Sequence, residues 1–403
     1  MTARREFLFL AHRIPYPPDK GDKIRTFRFL QHLATRFAVH LAAFVDDPAD
    51  FAHRTYLESF CASVTLAPLH PATARLRSLQ SLGRGEPLTF GYYRDQQMVR
   101  AVSLLRRKPL AGEYAFSSSM APYLEPAVEG RPRIADICDA DSEKWREYAG
   151  SAALPMKWVY GREHRRLAGA ETGIVNRFDA ALAISDAEAR IFTTRRGVTG
   201  TAVTVGNGVD TDYFAAGAST RPTDAGDVVF IGAMDYKPNI DAALWFADAV
   251  WPTVRARRPL ATFTIVGARP PSEVQTLAAR DGVAVTGRVT DVRPYLHHAR
   301  LALAPLKIAR GVQNKVLEAM AAGKAVVAST AANVGIDAVA GSEIVIADTA
   351  GAFASSVLLL LGDEARARAI GAAARARAAR DFSWASRLND LDLVLRRVGV
   401  RDS

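Results

Sequence analysis

Cysteine is scarce in this chain. Only Cys61 and Cys138 occur among 403 residues, far apart and in no metal-binding spacing. That excludes a disulfide framework, points to a reducing compartment and argues against zinc chemistry. Long apolar runs are missing too. Phe7–Ala11 and Val357–Leu361 hold five residues each, too short for a signal-peptide core or a bilayer span. The expected location is the cytoplasm. No Gly-Lys-Ser/Thr ending closes the loop from His12 to Arg25, which excludes a Walker A phosphate loop. Nor is there a recognition-helix pattern, a zinc motif or an aromatic platform on strands. Nucleic acid is therefore not an expected partner, in spite of a net charge of +10.

What is present is the composition of a globular protein, 49% hydrophobic and 23% charged. The length suits two domains. The positive excess is uneven. From Pro71 to Leu110, Arg75, Arg77, Arg84, Arg94, Arg100, Arg106, Arg107 and Lys108 stand against only Glu86 and Asp95. Leu76, Leu79, Leu82, Val99, Val102, Leu104 and Leu105 are interleaved, the pattern of helices with one apolar and one basic side. Such helices either pack the apolar side on a core or lie on an anionic membrane surface. Both readings stay open, and with them attachment to the inner face of the cell membrane.

Short apolar runs alternate with helical patterns along the whole chain. Phe7–Ala11, Val39–Val45, Val64–Ala67, Glu113–Ser117, Ile134–Ile137, Ala180–Ile184 and Thr201–Val205 read as strands. Ile24–Thr35, Asp95–Arg106 and one long stretch from Asp141 to Phe178 read as helices between them. The second half repeats the scheme with strands at Val228–Gly232, Thr262–Gly267, Val283–Thr286, Leu301–Pro305, Ala325–Ser329 and Ile344–Ile346. This alternation predicts α/β architecture, two parallel sheets with helices on both faces. The turn-rich Val205–Asp212 marks the boundary. Ligands of such sheets bind outside the carboxyl ends of the strands.

Gly311 and Glu318 are the most informative pair. On a helix read from Val312 to Ala322 they share one face, roughly 10 Å apart along the axis. A glycine at a helix start lets backbone N–H groups hold an anion. A carboxylate two turns deeper can accept hydrogen bonds from ribose hydroxyls. The pair predicts a nucleotide-diphosphate site, with Val312 and Lys315 between them. In Phe230–Asn239 a strand ends in Gly232, where a ligand can approach the backbone. Lys237 follows, able to meet phosphate charge, and Asn239 is a donor-binding candidate that also reads as the N-cap of the next helix. The loop after the first strand carries Gly21 with Lys20, Lys23 and Arg25, and suits contacts with a sugar or phosphates. Asp136, Asp139 and Asp141 read as an acidic cluster on one side of a strand end. His12 and Asp139 are the acid–base candidates.

Taken in order, these residues resemble the glycosyltransferases of family 4. The resemblance rests on Gly21, Asn207-Gly-Val-Asp210 with Phe214, Phe230-Ile-Gly232, and Gly311 followed by Val316-Leu-Glu318-Ala-Met-Ala-Ala-Gly323. Gly232–Asn239, Gly311–Lys315 and Asp139–Trp145 look more narrowly like the sugar transferases of exosortase (PEP-CTERM) exopolysaccharide systems. The resemblance implies the GT-B fold, two doubly wound Rossmann-like domains facing an interdomain cleft. Residues 1–205 would bind the acceptor, 206–381 the donor, and the C-terminal helix would cross back so that 382–403 packs on the first domain. It implies retaining transfer from a nucleotide-diphosphate sugar to a hydroxyl of a glycan, lipid-linked in such systems, without a metal or other cofactor.

The chain departs from that family at several positions. The family has two glutamates eight residues apart where this chain has Arg310 and Glu318, and Arg and Lys where it has Ala233 and Pro238. Lys237, Arg310 and Lys315 are the candidates for supplying the displaced charge, and Lys237 and Arg310 join His12 and Asp139 as catalytic candidates. A sugar-nucleotide epimerase on the same fold, or a catalytically silent glycan-binding or assembly subunit, stays open beside transfer.

Overall fold

Among the described residues of the computed structural model thirteen strands form, each where an apolar run of the sequence places one. It describes residues 4–18, 21–217, 220–309 and 311–401, with the side chain of Ser151 left aside. Lys20 and Arg310 lie outside the described residues. The chain divides into two units, Met1–Gly206 with Leu388–Ser403, and Asn207–Arg387.

The first unit holds β1 (Glu6–Ala11), β2 (Ala38–Val45), β3 (Ser63–Pro68), β4 (Leu110–Phe116), β5 (Arg133–Cys138), β6 (Ala180–Ala183) and β7 (Ala202–Thr204). They pair in the order β3-β2-β1-β4-β5-β6-β7, every pair parallel. Helices cover both faces, which is why the strands read as unbroken apolar runs rather than alternating ones. The direction of winding reverses between β1 and β4, where Ala11 lies beside Phe116. The second unit repeats this with β8 (Val228–Ile231), β9 (Phe263–Val266), β10 (Val283–Val285), β11 (Leu301–Ala304), β12 (Ala325–Ala328) and β13 (Val345–Ile346), in the order β10-β9-β8-β11-β12-β13. Its reversal falls between β8 and β11. Both reversals leave a crevice at the carboxyl ends of two strands, where doubly wound sheets bind ligands.

The helix expected from Asp141 to Phe178 is two helices, Asp141–Ser151 and Met156–Arg177. Pro155 has no N–H to continue the first helix and biases Leu154 to extended backbone. The two run antiparallel as a hairpin: the Trp145 and Tyr160 rings lie 5.5 Å apart, and His164 Nδ1 is 2.9 Å from the Ser142 carbonyl oxygen.

The interior of the first unit contains an ion pair. Arg25 donates to both oxygens of Asp136, from Nε at 2.8 Å and Nη2 at 3.1 Å, and Tyr114 donates to the same carboxylate at 2.6 Å. Nη1 of Arg25 bonds the carbonyls of Val205 and Gly206, which fastens the end of this unit to its sheet. Arg25 and Asp136 are therefore structural. Asp136 faces this interior from within β5, whereas Asp139 follows the strand, so the acidic cluster expected on one side does not form. Lys23 is also buried, paired with Asp50 at 2.7 Å. Lys23 and Arg25 thus do not charge the first loop. The C-terminal helix, Trp384–Arg397, meets the Gly21–Arg36 helix through Asp392, which lies 2.9 Å from His32 Nε2 and accepts from Arg36.

Candidate functional site

The reversal point of the second sheet brings together the loop after β8 and the loop after β11. Gly232 directly follows β8, and a Cβ there would stand 2.7 Å from Asn239 Nδ2, so a larger residue would displace the Asn239 amide. The next helix begins at Lys237, with Tyr236 as its cap residue. Asn239 is thus inside the helix and not its N-cap. Its buried side chain turns back instead, Nδ2 donating to the Ala233 carbonyl at 2.9 Å. Its Oδ1 accepts from Lys315 Nζ at 2.7 Å. Lys315 also lies over the Phe230 ring, 5.8 Å from its centroid.

Lys315 stands in the first turn of the Asn314–Ala321 helix and Glu318 one turn later. Among the described residues neither side chain has an ion-pair partner, and Glu318 has no hydrogen-bond donor. Burial pushes the Lys315 ammonium down to about 8, although Glu318 works the other way. Burial likewise pushes the Glu318 carboxyl up to about 7 against the pull of Lys315. A cation held by a neutral amide oxygen and an acid without a protein donor thus stand one turn apart on the helix after β11, both partly buried. Such perturbed groups in a crevice mark a functional-site candidate.

Gly311 lies outside this helix, which starts at Asn314 rather than Val312. Its φ of 59° is left-handed, a conformation that glycine adopts without a steric cost. Glu318 therefore stands one turn into the helix, and the expected two-turn separation on a shared face does not hold. Gly323, at φ 71°, ends the helix. Val312 packs near Gly335, where a Cβ would meet Val312 Cγ2 at 3.2 Å. Lys237 is three-quarters exposed and pairs with Asp241 one turn on, so the structure does not gather it with Lys315 and Glu318. Arg310, the remaining candidate cation, falls outside the described residues.

The sequence reading missed a neighbouring cavity of about 450 Å³, past the carboxyl ends of β11 and β12. Trp245, Leu306, Lys307, Ser329 and Asp348 are among its lining residues. The signal was present in Pro305-Leu-Lys307, which directly follows a buried strand.

In the first unit, His12 follows β1 at the reversal point. Its ring stacks on Phe116 at 5.6 Å and meets Tyr93 edge-on at 5.7 Å. Nε2 lies 3.5 Å from Asp22 Oδ2, and Nδ1 is buried without a hydrogen-bond partner. Burial alone would raise the Asp22 carboxyl, but hydrogen bonding from His12 and the charge of Arg13 hold it well below the usual carboxylate range. Gly21 opens the helix that carries Asp22. Asp139 is partly exposed and shares Lys144 with Asp141, at 3.6 and 2.7 Å. Two residues at or just past strand ends carry left-handed backbone without being glycine, Ser117 at φ 80° after β4 and Cys138 at φ 52° as the last residue of β5. Strain of this kind gathers at functional sites. Ser118, beside the first, buries an Oγ with no partner. Sequence patterns give no sign of either.

Residues 225–363 match the family described as Glycosyl transferases group 1. Comparison with curated proteins finds no sequence relative. Among solved structures, the chain is similar to sucrose-phosphate synthase from Thermosynechococcus elongatus, at 17% identity, TM-score 0.70, covering 98% of this chain and 99% of that one. It is similar to Anabaena HepE in complex with UDP and glucose, at 18% identity, TM-score 0.67, covering 97% and 99%. A point mutant of S. aureus TarM, in complex with fondaparinux, alpha-GlcNAc-glycerol and UDP, aligns at 10% identity, TM-score 0.64, covering 97% and 99%. At such identities the likeness shows the fold, which is GT-B: two Rossmann-like α/β domains, each on a parallel sheet.

Proposed function

We propose that this protein is a retaining hexosyltransferase that uses a nucleotide-diphosphate sugar and glycosylates a hydroxyl of a lipid-linked glycan. An exopolysaccharide pathway of the exosortase-linked type, at the cytoplasmic face of a membrane, is the proposed setting. The observation that carries the reading is the Asn239–Lys315–Glu318 arrangement at the reversal point of the second sheet. The family match over 225–363 supports transfer, and the UDP in the HepE and TarM structures supports a diphosphate donor.

In this reading Lys315 and the backbone N–H groups of the first helical turn face the diphosphate. They stabilise it most as the glycosidic bond breaks and negative charge grows on the leaving group. Glu318 accepts from the ribose hydroxyls and so sets the position of the anomeric carbon. The cavity lined by Trp245 and Lys307 takes the base, and its volume is in the range of small-ligand pockets. No metal is invoked, since Lys315 supplies the positive charge. The acceptor belongs to the first unit, where His12, oriented by Asp22, holds the proton of the attacking hydroxyl.

The test is nucleotide release from UDP-, GDP-, ADP- and dTDP-sugars with and without a lipid-linked glycan acceptor. Release that depends on the acceptor supports transfer. Isomerisation of the donor without acceptor would make the protein an epimerase, and saturable glycan binding without donor turnover would make it a silent subunit.

A further inference from the structure

The helix Pro71–Arg84 is mounted with its leucines outward. Its buried side is small: Ala74 and Ser81 face inward, and Ser78 and Ser81 press on Gly91, where a Cβ would stand 2.2 Å from Ser81 Oγ. This close approach turns Leu76, Leu79 and Leu82 away from the sheet, at 70%, 59% and 40% exposure. The three fall within roughly 120° of one another around the helix. The tip of the Asp141–Arg177 hairpin adds exposed Leu154 and Trp158. Arg162, one turn beyond Trp158, donates to the carbonyls of Ser81 and Leu82 at 3.1 and 3.3 Å. Those bonds tie the hairpin to the C-terminal end of the Pro71–Arg84 helix.

Positive charge borders the same surface. Arg75, Arg84, Arg100, Lys157, Arg165 and Arg166 are exposed and make no ion pair among the described residues. Nearby carboxylates are already engaged: Asp95 by Arg77 at 2.6 Å, Glu86 by Arg94 at 2.8 Å, and buried Glu163 by the backbone of Leu88 and Thr89. A cleft of about 680 Å³, lined in part by His70, Arg77, Arg84, Arg94 and Arg100, opens on another side of the same helix.

We propose that this face docks on an anionic lipid bilayer, with Leu76, Leu79, Leu82, Leu154 and Trp158 entering the acyl boundary and the arginines holding lipid phosphates. An apolar row with a tryptophan, ringed by cations without acidic partners, matches the interface of an anionic bilayer. The proposal rests on the lipid-linked acceptor reading for its purpose alone. Its test needs neither donor nor acceptor, so the two fail separately.

The experiment is co-sedimentation of the full chain with phosphatidylcholine vesicles, with and without about one-third phosphatidylglycerol. The wild type binds the anionic vesicles and is released several-fold by high salt. Leu76→Asp with Leu79→Asp weakens binding about tenfold or more, as does Arg84→Glu with Arg100→Glu, while Leu260→Asp, on an exposed residue of the second unit, binds as wild type. Circular dichroism confirms that each variant folds. Quenching of tryptophan emission by brominated lipid is lost in Trp158→Phe. Wild-type failure to bind anionic vesicles, or unchanged binding by either double variant, overturns the proposal. A solution dimer that Leu76→Asp with Leu79→Asp dissociates would assign the face to a second copy and overturn it too.

Discussion

Lys315 Nζ donates to Asn239 Oδ1 at 2.7 Å, joining the helix after β11 to the first turn of the helix after β8. A neutral amide oxygen thus holds a half-buried ammonium whose natural partner is an anion. The carboxyl one turn along the helix, Glu318, has no protein donor among the described residues.

The pH dependence of the unliganded protein should report this pair. The Glu318 carboxyl is raised, so its contribution to stability is full at low pH and is lost as pH rises through about 7. The Lys315 ammonium is depressed, so its contribution is full at high pH and is lost as pH falls through about 8. Glu318→Gln should therefore stabilise the protein at pH 8, by on the order of 1–3 kcal/mol, and leave it nearly unchanged at pH 5. Urea unfolding at the two values checks this. With the donor held by Lys315 and Glu318 as proposed, its affinity requires both charges and should peak between about 7 and 8.

Arg25 and Asp136 make the opposite case, a buried pair that is fully satisfied. Arg25→Met leaves a buried carboxylate without its cation and should cost about 3–5 kcal/mol in denaturant unfolding. Adding Asp136→Asn should recover part of the loss, because the orphaned charge goes with it.

His12→Gln should lower kcat by about a hundredfold or more without changing donor affinity. On the proposed role of His12, Asp22 positions its ring, and Asp22→Asn should give a smaller loss together with a shifted pH profile. Steady-state kinetics with donor titration separates the two.

Lys237→Ala should change donor affinity by less than about twofold, since the side chain is exposed and engaged with Asp241. Calorimetric titration of the donor checks it.

The strands were legible because parallel strands covered on both faces read as unbroken apolar runs, as Leu301–Ala304 and Ala325–Ala328 do. The glycine, lysine and carboxylate of the second unit were legible as residue types, but not their geometry. Asn239 looked like a cap, since Asn before a helix usually is one; its bond to Lys315 spans 76 positions and leaves no local trace. Gly311 was read at the mouth of a helix from Val312 because its left-handed φ is invisible to periodicity. The leucines of Pro71–Arg84 showed an amphipathic helix but not which side faces the core. Gly91, several residues away, decides that.

The most direct test of the central claim is a thermal-shift screen with UDP, GDP, ADP and dTDP on wild type, Lys315→Met and Glu318→Ala. One nucleotide should raise the wild-type Tm and give most of that rise back in both variants. Equal stabilisation of all three proteins, or no stabilisation of the wild type by any of the four, would contradict a donor anchored by Lys315 and Glu318.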